Sequence, residues 1–179
     1  VDVDGGQIML EVMLQISIFF IAAGVLYSTR SILGRKGSLI VCALTYIVSY
    51  IIFYDLFREV YRAPGYTLGF GVKGLGGDAI LLNIMTLYVA LMGIFISNMI
   101  MFHAILFEKQ PNTLTYASML AAAGSTLGVF YSNNLIMIAI FWEALVVSIV
   151  GILYDRDYAT STEAVIKMLF MSLLGSTMF

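Results

Sequence analysis

The chain has 179 residues, of which 61% are hydrophobic and 11% charged, against roughly 25% charged in an ordinary soluble domain. That balance excludes a soluble globular domain, a disordered tail and a nucleic-acid binder. The formal net charge of −2 argues against a polybasic surface for anionic lipid or nucleic acid.

The charges are unevenly spread. None lies between Asp78 and Glu108, or between Lys109 and Glu143, giving charge-free runs of 29 and 33 residues. Each exceeds the roughly 20 residues that cross a bilayer as a helix. In chain order the apolar segments are 8–28, 38–54, 79–107, 113–131, 134–154 and 161–179, and only Glu11, Glu143, Glu163 and Lys167 fall inside them. The runs are long, continuous and rich in Leu, Ile, Met and Phe, unlike the alternating strands of roughly ten residues in a membrane barrel. The fold class predicted is an all-α integral membrane protein with about six transmembrane helices, in contact with the lipid bilayer and not with nucleic acid.

Residues 1–54 carry the first two helices. The first is not a cleaved signal peptide, because Asp2 and Asp4 precede it in place of a basic start and its apolar stretch is too long. Residues 55–78 hold Pro64 and the run "APGYTLGFGVKGLGGD", which predicts a glycine-rich extramembrane loop with a short β-hairpin. Residues 79–179 carry the other four helices. The third segment is longer than one perpendicular span, which predicts tilt or protrusion. "YSNN" at 131–134 turns the fourth helix into the fifth. "TSTE" at 160–163 reads as a capping box with Thr160 as N-cap and Glu163 at N3, starting the sixth helix at Ser161. Arg30, Arg35, Lys36, Lys109 and Arg156 collect on one side, against Arg58, Arg62 and Lys73 on the other. By the positive-inside rule the N-terminus is outside. The chain begins with Val1 and stops inside an apolar run at Phe179, so it reads as one piece of a longer protein.

Glu143 is the leading candidate for chemistry. It sits in the middle of "NLIMIAIFWEALVVSIVGILY", roughly 15 Å from either end at 1.5 Å per residue, too deep to snorkel. A carboxylate there faces the bundle interior, pairs, or is protonated, and such groups mark ion or proton pathways. A protonated structural hydrogen-bonding group is the alternative. Lys167 lies about 9–10 Å into the sixth helix, shallow enough to snorkel and equally able to pair with a buried carboxylate. His103, near the end of the third helix, is a weaker candidate proton relay, because an imidazole side chain can carry a proton at physiological pH. Glu163 is explained by capping and the helix dipole, and Glu11 as interfacial.

Other motifs carry less. The run 69–74 formally reads GxGxxG but follows no strand of a βαβ unit. Gly124 and Gly128, beside Ala121 and Ser125, form a small-residue face that predicts close packing of the fourth helix on a neighbour. Cys42 is the one cysteine, so no disulfide framework or zinc site is expected. No cofactor, metal site or catalytic centre is predicted in this chain.

Around Glu143 and Lys167 the stretch "GVFYSNNLIMIAIFWEALVVSIVGILYDRDYATSTEAVIKMLFMSLLGSTMF" resembles the proton-antiporter-like membrane subunits. These comprise the antiporter-like subunits of respiratory complex I, the large subunits of Mrp-type Na+/H+ antiporters and their relatives in membrane-bound hydrogenases. Phe141-Trp142-Glu143 matches the family's aromatic-rich "FxE" or "WE". Glu163-Ala164-x-x-Lys167 and Gly175-Ser176 match its "EAxxKYF…GS", although Met168-Leu169 stands where "YF" is usual. "GVKGLGGDAILL" is similar to the family's lead-in to its third helix. The resemblance covers about 124–179 well and 70–107 weakly. It implies that Glu143 is the family's fifth-helix glutamate and Lys167 its sixth-helix lysine, coupled for proton translocation. It also implies that this chain is the N-terminal part of a fold of about fourteen helices, working among other membrane subunits of an energy-transducing membrane. The function it implies is a proton-translocating subunit of a redox-driven complex; "SLLGST" is equally like the Mrp subunits. A structural membrane subunit in which the two charges merely pair is a third reading.

Overall fold

The computed structural model describes residues 5–29, 32, 34–62, 68–71, 78–107, 113–153 and 159–177. Among them the chain forms α1 (Gly5–Ser28), α2 (Arg35–Arg62), β1 (Leu68–Gly71), β2 (Asp78–Leu82), α3 (Ile84–Phe107), α4 (Thr113–Tyr131), α5 (Leu135–Leu153) and α6 (Ala159–Thr177). Five helices, α1 to α5, are long and apolar enough to cross a membrane. The helix α6, which carries Glu163 and Lys167, is not among those five.

The loop expected over 55–78 is smaller than its composition suggests. Helix α2 continues to Arg62, where Arg62 pairs with Glu59 at 3.1 Å on an exposed turn. At 28 residues it outlasts the roughly 20 that span a bilayer. The hairpin pairs β1 and β2 antiparallel, Leu68 opposite Leu82 and Phe70 opposite Ile80, with an irregularity between Phe70 and Gly71. Residues 78–82 therefore belong to a strand, which resolves the excess length of the third apolar segment: α3 proper has 24 residues. Its start is fixed by a reciprocal cap. The Thr86 amide donates to Asn83 Oδ1 at 2.7 Å and the Asn83 amide to Thr86 Oγ1 at 2.9 Å, satisfying two of the donors a helix start leaves open. Pro64, residues 72–77, Arg30, Lys109 and Arg156 lie outside the described residues, and with them half of the GxGxxG-like run.

The bundle is organised around α4. Of the α4 span 44% is buried, against 11% of the α5 span. Small residues set the contacts. Gly124 lies on α1, where an added Cβ would stand 2.9 Å from Phe19 Cβ and 3.3 Å from the Ile16 carbonyl oxygen. Gly128 lies under the Phe141 ring of α5, and Gly151 of α5 lies on Ser118 of α4. Phe130 of α4 in turn covers Gly93 of α3. The small-residue face thus packs closely, but on two neighbours: Gly124 admits α1 and Gly128 admits α5. In lipid such close approach replaces the hydrophobic drive that soluble helices use.

The α4–α5 turn and the hairpin share one end of the bundle. Ser132 bridges Ile80 of β2, and both Ile80 and Leu82 are buried. Asn134 caps α5, its Oδ1 accepting from the Ile136 amide at 2.9 Å.

Candidate functional site around Glu143

The two faces of α5 are distinguishable. Phe141, Ser148 and Gly151 form the strip toward α4, as the Gly128 and Ser118 contacts show. Glu143, Val146 and Val150 follow at i, i+3 and i+7 on the opposite side. There Val146 is buried, and the helices that pack on α5 are α4 and α6. Glu143 is eight residues past Leu135 and ten before Leu153, near the middle of the span. Its Oε1 is buried and has no hydrogen-bond partner among the described residues.

Helix α6 presents a narrow sheltered strip to α5. Val165 is buried, Met168 and Ser172 are partly buried, and the flanking residues 162–164, 166, 167 and 169–171 are exposed. Glu163 and Lys167 fall on the far side, where Lys167 Nζ lies 2.5 Å from Glu163 Oε1 with both side chains mostly exposed. The structure therefore does not bring Glu143 and Lys167 together. An i,i+4 pair with the acid first is the favoured orientation on a helix, and it holds Lys167 away from α5. Glu163 is that partner, within a helix that already begins at Ala159. Thr160 is helical, and its side chain lies outside the described residues.

His103 is exposed on α3 and stacks on Phe107, ring centroids 4.8 Å apart. Glu11 accepts from Gln7 Nε2 at 3.3 Å through Oε1, while its Oε2 is buried.

Reasoning from charges alone misses a neutral polar seam. Gln15 of α1 is fully buried. Its Oε1 accepts from the Tyr131 hydroxyl of α4 at 2.9 Å, and its Nε2 donates to the Ser49 carbonyl of α2 at 3.4 Å. Between α2 and α3, Tyr46 and Ser97 share a hydrogen bond at 2.6 Å, and Asn98 reaches the Tyr50 hydroxyl at 3.5 Å. The sequence signal for this seam is a glutamine inside an apolar helix. No protein-family model matches the chain. No curated protein matches it either. The antiporter-like resemblance rests on the residues of its motif.

Interhelical bonds of this kind contribute roughly 0.6–2 kcal/mol in membranes. Gln15→Leu is therefore expected to lower the stability of the detergent-solubilised protein by about that much, while Gln7→Leu, an exposed position, leaves it nearly unchanged. Thermal unfolding of the two variants checks this, and equal effects would refute it.

Proposed function

We propose that this chain is a proton-translocating, antiporter-like subunit of a redox-driven membrane complex, with no redox centre of its own. The observation that carries the reading is Glu143: a carboxyl group at mid-span of the fifth helix, one oxygen buried and unpartnered among the described residues, within the motif "FWEALVV". An ionised carboxylate at that depth costs several kcal/mol unless paired or hydrated, so the group changes state when a proton or a positive charge reaches it. That is the behaviour a translocation site needs.

In this reading Lys167 is the second charged group of the pathway, its charge offset locally by Glu163 until the pair opens, and His103 is a peripheral relay near the end of α3. The chain sits in an energy-transducing membrane with its N-terminus outside. Here α6 completes a sixth span, covered on its Lys167 side by protein, and the six form the first part of the larger antiporter-like fold. Other membrane subunits cover the lightly buried α5–α6 side.

The alternative is a subunit of an Mrp-type Na+/H+ antiporter, whose large subunits the "SLLGST" stretch resembles equally. Isolation of the tagged chain from its native membranes separates the two. The redox reading expects co-isolated subunits with iron–sulfur signals by electron paramagnetic resonance, and vesicles that acidify when an electron donor is added. Isolation without redox subunits, in vesicles that exchange Na+ for H+ with no donor, would establish the antiporter instead.

A further inference from the structure

We propose that Ser172 is the intramembrane partner of Glu143, its hydroxyl and the Glu143 carboxyl group holding one water molecule between them in the α5–α6 seam. The inference rests on Glu143 being the titrating group, and it replaces Lys167 by Ser172 as the side chain that faces it.

Three observations converge. First, the helical serines and threonines of this chain commonly satisfy themselves by donating to the carbonyl four residues back. Ser38, Thr45, Ser125, Thr126 and Ser148 all do so, at 2.7 to 3.4 Å. Ser172 does not: its Oγ is buried and has no partner among the described residues. A buried hydroxyl that forgoes the carbonyl of its own helix requires another acceptor or donor. Second, Ser172 shares the sheltered strip of α6 with Val165 and Met168, and α6 packs on α5; Glu143 shares with buried Val146 the side of α5 turned away from the Gly128 and Ser118 contacts with α4, the side left for α6. Third, the two residues lie within about one helical turn of each other in depth. Val146 and Val165 are seven and six residues from the facing helix ends, Leu153 and Ala159, and both are buried. Glu143 is ten residues from its end and Ser172 thirteen from its own. At 1.5 Å per residue they differ in depth by about 5 Å, across helices separated by roughly 8–10 Å.

Two polar side chains on neighbouring helices within about a turn in depth, each with a buried atom unpartnered among the described residues, suit a bridging water, which needs at least two polar partners to remain in an apolar interior. The bridge gives the proton a stepping point beside the carboxyl group. It also gives Glu143 a neutral hydrogen-bond partner, which steadies the carboxyl without locking it into an ion pair.

The test reads the Glu143 carboxyl group directly by infrared difference spectroscopy on the assembled protein with 13C-labelled glutamate. Its bands are identified as those lost in Glu143→Gln. Both the protonated and the ionised group absorb, so the hydrogen bond is readable in either state. Ser172→Ala is expected to shift the protonated C=O band to higher frequency, or the carboxylate bands if the group is ionised, and Ser172→Thr to restore them. Ser148→Ala, whose hydroxyl already donates to Ala144 on the other face of α5, leaves the bands in place. If Ser172→Ala does not assemble, Ser172→Cys, of similar shape and with a weaker donor, must shift them in the same direction. Unshifted Glu143 bands in the Ser172 variants overturn the inference. A Glu143 group that never protonates overturns the proposed function and leaves the Ser172 contact to stand on its own shift.

Discussion

Glu143→Gln is expected to leave folding and assembly intact and to reduce proton translocation through this subunit by at least about tenfold, the effect of little more than 1 kcal/mol in the barrier. Glutamine keeps the size and the hydrogen-bonding capacity of the side chain and removes only the titration. The structure sharpens the expectation on stability. Because Glu143 Oε1 is buried without a partner among the described residues, replacing the acid removes a desolvation cost and breaks no ion pair. The unfolding midpoint should hold or rise slightly. A purely structural carboxyl group predicts the reverse, a lower midpoint with translocation unchanged. Lys167→Ala should have the smaller effect on translocation, since Lys167 is turned to Glu163 on the outer side of α6. The measurement is the ratio of protons moved to electrons transferred in reconstituted vesicles, alongside thermal unfolding of the same preparations. An unchanged ratio in assembled Glu143→Gln would end the translocation reading.

The helices are legible because membrane-crossing segments must exclude charge. That pressure acts on composition, so the charge-poor apolar runs alone place α1 to α5. Boundaries are less legible where polar residues continue a helix beyond the apolar zone, as in α2 with Asp55, Arg58, Glu59 and Arg62. The same holds where an apolar run changes secondary structure, as at residues 79–82, because hydropathy does not distinguish a buried strand from a helix start. The Asn83–Thr86 cap marks that change. The position of Glu143 along its helix is readable from counting, but its surroundings are not. Depth along two helices suggests that Glu143 and Lys167 approach each other; rotation about α6 decides the matter, and it turns Lys167 outward to Glu163. The sheltered positions Val165, Met168 and Ser172 reveal that rotation, whereas the apolar residues of α6 occur all round the helix and conceal it in the sequence. Ser172 is inconspicuous for a related reason: a serine in an apolar helix is ordinarily satisfied by its own backbone.

The two glycines of α4 should respond to the same change in different ways. Gly124→Ala and Gly128→Ala are each expected to destabilise the bundle by about 1–3 kcal/mol, the usual range for overpacking, because each places a Cβ inside a helix–helix contact. At Gly128 the obstacle is the ring of Phe141, which truncation removes. In a Phe141→Ala background Gly128→Ala should therefore cost little, giving a coupling of about 1 kcal/mol or more between neighbours in contact. At Gly124 the obstacles are the Phe19 Cβ and the Ile16 carbonyl oxygen, 2.9 and 3.3 Å from the added carbon. Phe19→Ala keeps its Cβ and the Ile16 backbone, so it should give no comparable rescue; α1 itself must move. Gly24→Ala, with nothing within 4 Å, is the control and should be neutral or slightly stabilising through helix propensity. Unfolding midpoints of the single and double variants in detergent measure all of these. Rescue of Gly124→Ala by Phe19→Ala as complete as that of Gly128→Ala by Phe141→Ala would show that α1 and α5 meet α4 in the same way, contrary to the contacts described. The Gly128 pair also bears on the site, because Phe141 precedes Glu143 by two residues: a shift of α5 that accommodates the new methyl group moves the carboxyl group with it.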